Sequence, residues 1–220
     1  MPDTHRNEMI RVGRDIWLRG FCAGCDGNFS VRSGPDRFLC TASGVSKGSL
    51  THETICEVNI DGAPTASTGR YKPSSEILTH LAVYKARPDV KAVIHAHPPH
   101  PTAFAITGTP IPRAIHPEVE LFLGDVPTVP YASPGSRELA DAVAAAIGPE
   151  TNSFLLANHG TLSFSTRGLT DAYHLLEMLD AYCRVLILAK ELGEPIRLTQ
   201  TQLQSIRALS ARLADDHGTT

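Results

Sequence analysis

Apolar and polar positions recur with two different periods along this chain. "RNEMIRVGRDIWLRGF" spaces Met9, Val12, Ile16 and Trp17 as one stripe of a helix. "NFSVR" and "RFLCTA" alternate or run apolar with the turn residues "SGPD" between them, which predicts a hairpin. "CEVNIDG" reads as a further strand ending in a turn. "PSSEILTHLAVYKARP" predicts a helix that Pro73 and Ser74 open and Arg87–Pro88 end. "DVKAVIHAH" is apolar enough for a buried strand. "SRELADAVAAAIG" predicts a helix stopped by Gly148, and "SFLLANHG" and "TLSFS" predict two strands around a turn. The long "LTDAYHLLEMLDAYCRVLILAKELG" and the amphipathic "LTQTQLQSIRALSARL" (about 199–214) predict the last two helices.

Strands and helices mix here without a regular strand–helix–strand repeat. The expected fold is α/β: a three-layer α/β/α single domain over 1–220, its central, mostly antiparallel sheet covered by helices on both faces. The long helix is more apolar than one packing face requires, so it belongs either to a subunit interface or to the core. "DGAPTASTGRYKPSS" reads as a surface loop.

Composition narrows the function classes. With 42% hydrophobic and 20% charged residues among 220, the chain can build a substantial core. A formal net charge of -3 with no clustered Lys and Arg argues against a nucleic-acid partner. No run approaches the ~18 apolar residues of a membrane span, and "MPDTHRNEMI" lacks a signal-peptide core; a cytoplasmic protein is expected. Five cysteines include one Cys-x-x-Cys, at Cys22 and Cys25. A structural zinc site would want a second such pair, so these read as ordinary reduced thiols.

Candidate chemistry starts at "VKAVIHAHPPH". In a strand, His95 and His97 point to one face. Imidazoles about 6–7 Å apart at the backbone can converge on one ion. Alone, such a pair favours one satisfied core histidine and one surface histidine over a metal site. His159 in "LLANHGTLSF" also follows an apolar run, with Gly160 beside it for a sharp turn, and could be a third ligand. His116 and His100 are weaker candidates, with His100 expected in a loop. His80, four residues after Glu76, reads as a half-exposed helix histidine.

In "KPSSEIL", Ser74 or Ser75 fits an ordinary helix cap, and the same geometry suits a phosphate, with Glu76 behind it as a base. "CDGNFSVR" (Gly27–Asn28) and "TASGVSKG" (Ser43, Gly44, Ser46) are small-residue turns. Neither is a Walker-type or dinucleotide loop.

Taken together, "DGNFSVR", "TASGVSKGSL", "KPSSEILTHLAVYKARPDVKAVIHAHPPHPTAFA", "VPYASPGSRELA" and "LLANHGTLSF" resemble, in order, the class II aldolase/adducin family over roughly residues 8 to 193. The subgroup resembled is the L-fuculose-phosphate-aldolase-like sugar-phosphate lyases. The resemblance implies an α/β/α fold and a homotetramer with active sites at subunit contacts. It implies that His95, His97 and His159 bind Zn2+, or another divalent metal such as Mn2+ or Co2+. It further implies that Asn28, Ser43, Gly44, Ser74 and Ser75 hold the phosphate of a small phosphorylated sugar, and that Glu76 is the acid/base. The implied reaction is retro-aldol cleavage of a ketose 1-phosphate to dihydroxyacetone phosphate and an aldehyde through a zinc-stabilised enediolate. The chain departs from that subgroup at Pro117, where a Tyr is expected after the His, and no Tyr follows Tyr182. Glu118, next to Pro117, could take over the acid/base task or mark a different reaction: a methylthioribulose-phosphate dehydratase, a ribulose-phosphate 4-epimerase or a 3-oxo-acid-phosphate decarboxylase. A non-catalytic adducin-like module is the remaining alternative.

Overall fold

The computed structural model describes residues 2–65 and 70–217; part of the loop expected at 61–75 lies outside the described residues. Seven strands form one sheet: β1 (Asn28–Gly34), β2 (Arg37–Thr41), β3 (Ile55–Val58), β4 (Ala92–Ala96), β5 (Thr128–Val129), β6 (Ser153–Leu156) and β7 (Gly160–Ser165). Their order is β3-β2-β1-β4-β7-β6-β5. Every pairing is antiparallel except β5 with β6. The helices are α1 (Pro2–Leu18), α2 (Ile77–Ala86), α3 (Pro99–Thr107), α4 (Arg137–Ala146), α5 (Leu169–Leu192) and α6 (Gln200–His217).

The period-two pattern of the strands sorts the core into layers. On one face Phe38, Val93, Phe154, Leu162 and Phe164 pack with Leu81 and Tyr84 of α2 and Leu139 and Val143 of α4. On the other, Phe29, Val31, Leu39 and Ile94 pack against Met9, Val12 and Ile16 of α1 and Leu169, Ala172 and Leu176 of α5. Phe104 of α3, Leu155 and the distal half of α5 extend that second face. The expected three-layer α/β/α arrangement is therefore present.

Several local expectations are corrected. The second helix begins at Ile77, three residues after Ser74, because Ser74 Oγ accepts the Glu76 N–H at 3.3 Å and holds Ser74–Glu76 as a turn. Trp17 does not share the core stripe; it is half-exposed and lies flat on Gly48. His100 is not in a loop but in α3, which Pro99 opens and a left-handed Gly108 ends. His100 Nδ1 sits 3.0 Å from Asp180 Oδ1 of α5. A π-helical turn over Val119–Leu123 is a further element that the hydrophobic pattern did not reveal.

Candidate metal centre and substrate site

The centre is built at the end of β4, the middle strand of the sheet. Val93 and His95 share the face toward α2, while Ile94 and Ala96 point to α1 and α5. His95 is fully buried between Asn28 of β1 and Leu162 of β7. Its Nδ1 lies 2.9 Å from the Thr161 carbonyl. A carbonyl only accepts, so Nδ1 carries the proton and Nε2 presents its lone pair outward.

His97 Nε2 approaches His95 Nε2 to 3.1 Å, and His97 Nδ1 faces Asp26 Oδ2 at 3.5 Å. His159 stands in the turn between β6 and β7, with ring centroids 4.5 Å from His95 and 5.2 Å from His97. One ligand nitrogen from each histidine falls within 4.8 Å of the others. The sharp turn comes not from Gly160, as the sequence suggested, but from Asn158 at φ 57°. Gly160 is needed for space: a Cβ there would lie 2.4 Å from His97 Cδ2 and 2.7 Å from the Ala96 oxygen.

Burial, then the neighbouring His97 and His159, holds His95 well below the usual histidine range. His159 is also lowered, by burial first; Glu76 opposes that shift and His97 adds to it. Imidazoles offer ring nitrogens as ligands, and here two of these nitrogens stand 3.1 Å apart. Three such donors beside a carboxylate fit a divalent cation of the zinc type, which accepts three protein nitrogens and keeps a position open.

Glu76 spans the cluster. Its Oε2 is 3.2 Å from His95 Nε2 and its Oε1 is 3.5 Å from His159 Nε2. Asn28 Nδ2 donates to Oε2 at 2.8 Å, while Asn28 Oδ1 is buried without a protein partner. The two small-residue turns meet alongside. Ala42 bridges Pro73, the Ser43 N–H donates to the Lys72 carbonyl at 2.9 Å, and the Ser74 N–H donates to the Thr41 carbonyl at 3.1 Å. This sets exposed Ser43 and Gly44 next to buried Ser74 and exposed Ser75. Glu118 stands apart: it is exposed at the start of the π-helical turn and pairs with His116 at 3.0 Å.

Three neighbours were not foreseen. Asp26 orients His97, as carboxylates commonly orient ligating imidazoles. His80 is not half-exposed but buried, Nδ1 at 2.8 Å from Ser30 Oγ, and burial pushes it down to about 3. Lys47 is 1% exposed. The only signals for the latter two were His80's place on the Glu76 face of α2 and Lys47's place in "SGVSKG".

A tri-histidine cluster with one carboxylate at a strand end is an arrangement that could hold the metal of a metal-dependent enzyme. Residues 7–187 match the Class II Aldolase and Adducin N-terminal domain family, and the chain belongs to it. The chain is 32% identical over 209 residues to the 3-oxo-tetronate 4-phosphate decarboxylase of Escherichia coli K12, covering 92% of this chain and 95% of that protein. It is 41% identical over 157 residues to the 5-methylthioribulose-1-phosphate/5-deoxyribulose-1-phosphate aldolase of Escherichia coli O45:K1, covering 71% of each. Among solved structures, an L-fuculose 1-phosphate aldolase superposes with a TM-score of 0.83 at 30% identity, over 92% of this chain and 94% of that one. The family's members are metal-dependent lyases acting on small sugar phosphates.

Proposed function

We propose that the chain decarboxylates a phosphorylated 3-oxo sugar acid, giving carbon dioxide and dihydroxyacetone phosphate. The carrying observation is that, among the described residues, Glu76 alone places a carboxylate against both His95 and His159 of the cluster. Loss of CO2 breaks the C1–C2 bond, leaves its electron pair as an enediolate across C2 and C3, and then needs one proton at C2. Retro-aldol cleavage leaves the same enediolate but must also take a proton from the hydroxyl of the departing aldehyde. A single carboxylate spanning the cluster, among the described residues, matches the simpler demand. The tyrosine that the resemblance implies for the second task is replaced by Pro117.

His95, His97 and His159 would hold the divalent cation, whose Lewis acidity stabilises negative charge on the substrate oxygens. Asn28 fixes the Glu76 carboxylate, which hands the proton to C2. Ser43, Gly44, Ser74 and Ser75 offer hydroxyls and N–H groups for the phosphate, holding the reacting carbons in place. Glu118 is exposed and pairs with His116, not with a histidine of the cluster, so an acid/base role for it would be played at a neighbouring copy's site. Exposed Val185, Ile187, Leu188 and Leu192 along α5 favour the homotetramer that would supply one.

Retro-aldol cleavage of a ketose 1-phosphate is the second reading, favoured by the 41% identity to an aldolase. Purified protein with one divalent metal per chain should release dihydroxyacetone phosphate and CO2 from 3-oxo-tetronate 4-phosphate, read by coupled reduction of the ketone. Release from ketose 1-phosphates with an aldehyde, and none from the oxo acid, would replace the first reading with the second.

A further inference from the structure

Lys47 is a lysine almost wholly removed from water, and the reaction as derived leaves it without a task. It begins a short 3₁₀ turn after the Ser43–Ser46 loop. Helix α1 clamps that turn from outside: a Cβ on Gly13 would meet the Lys47 carbonyl at 2.7 Å, and the Trp17 ring lies on Gly48. With its backbone pinned, the side chain runs inward. Its Nζ donates to the Cys25 carbonyl at 3.1 Å and to the Val45 carbonyl at 2.5 Å. Cys25 precedes Asp26, Gly27 and Asn28, whereas Val45 follows Ser43 and Gly44. One ammonium therefore ties together two loops that are not hydrogen-bonded to each other as strands.

Among the described residues no carboxylate forms an ion pair with this charge, and the titratable groups facing it are Cys22, Cys25, Asp26 and His95. Burial holds its amine below the usual lysine range. A buried, unpaired ammonium is costly for folding. A hydrophobic side chain of similar length would serve a purely structural purpose better. The site gains from the positive charge only when an anion arrives nearby.

We propose that Lys47 is a positioning residue for the anionic substrate: it locks the Asn28 loop to the Ser43–Gly44 loop and holds one positive charge behind them. This rests on the reading that those loops receive the phosphate. Lys47→Met and Lys47→Arg are compared with the native holoenzyme, using inorganic phosphate as a competitive inhibitor. Phosphate should inhibit the native enzyme. In Lys47→Met its inhibition constant and the substrate KM should rise about tenfold or more, that is ~1.4 kcal/mol or more, with metal content unchanged. Thermal stability should change little, since losing the unpaired charge offsets the two lost hydrogen bonds. Lys47→Arg should recover part of the phosphate affinity.

Phosphate that inhibits the native enzyme and Lys47→Met equally overturns the role of Lys47. So does a Lys47→Met protein that loses stability and metal while its KM stays native. Phosphate that fails to compete even with the native enzyme overturns instead the assignment of the loops. Should Lys47→Met not fold, Lys47→Gln decides: a native inhibition constant and KM with the positive charge removed would overturn the proposal.

Discussion

Replacing Gly160 by alanine should disable the metal centre without touching any ligand. The added methyl would start 2.4 Å from His97 Cδ2 and 2.7 Å from the Ala96 oxygen. Carbon atoms rest at about 3.5–4.0 Å, so something must give by roughly 1 Å. The Ala96 oxygen cannot, because it belongs to the central strand and accepts from Thr161 Oγ1 at 3.1 Å. The His97 ring is the softer partner, being the end of a side chain beyond the strand. Metal–ligand distances tolerate only about ±0.2 Å, so a ring displaced that far no longer ligates well. We expect at least ~100-fold weaker metal binding, near 2.7 kcal/mol. Overpacking should cost the apo protein a further ~1–3 kcal/mol of stability. Competition against a chromophoric chelator gives the affinity, and thermal denaturation of the apo protein gives the stability. A Gly160→Ala, His97→Ala double variant should bind metal no worse than His97→Ala alone, since both changes act through one ring. Native metal affinity in Gly160→Ala, with only lowered stability, would refute the reasoning.

Further expectations concern the other parts of the site. Glu76→Gln should keep stoichiometric metal yet lose about 10²–10⁴-fold in turnover, whereas His95→Ala should lose the metal; near-native turnover in Glu76→Gln would remove the acid/base assignment. Asn28→Leu deletes the 2.8 Å hydrogen bond to Glu76 and should cost ~1.5–3 kcal/mol of transition-state stabilisation, read as kcat/KM with metal content unchanged. The acid stability of the apo protein should carry the mark of His80, which is held near 3 in the fold against about 6.5 unfolded. Between those values the unfolded chain binds the extra proton, so stability falls as pH drops below about 6.5, by up to ~1.4 kcal/mol per pH unit. Denaturant titrations from pH 7 to 4 should show a shallower fall for His80→Gln; equal slopes would mean that His80 is not buried neutral.

Much of this protein was legible in its sequence because the relevant geometry is local. Strand periodicity predicted His95 and His97 on one side, and the structure brings them together although β4 ends at Ala96; the apolar runs mark β4, β6 and β7. The same local grammar misplaced the start of α2, because a serine side chain can satisfy a backbone N–H in a turn as well as at a cap. It also missed α3, whose "PHPTAFAIT" carries two prolines in its first turn.

The sequence by itself pointed to the layer architecture and to three histidines and one carboxylate as candidates for one site. These follow from backbone periods and from residue chemistry. Only the tertiary structure decided which polar groups lie out of water and what they touch. Neighbouring elements bury His80 and Lys47, bring Asp26 to His97, and set the Ser43 turn against Ser74 through a single bridge at Ala42 and Pro73. Burial depends on what packs from afar, and no residue's own neighbours in the chain encode that. Gly160 makes the point most simply: next to a histidine it reads as a turn residue, but in the fold its missing side chain is the room that His97 occupies.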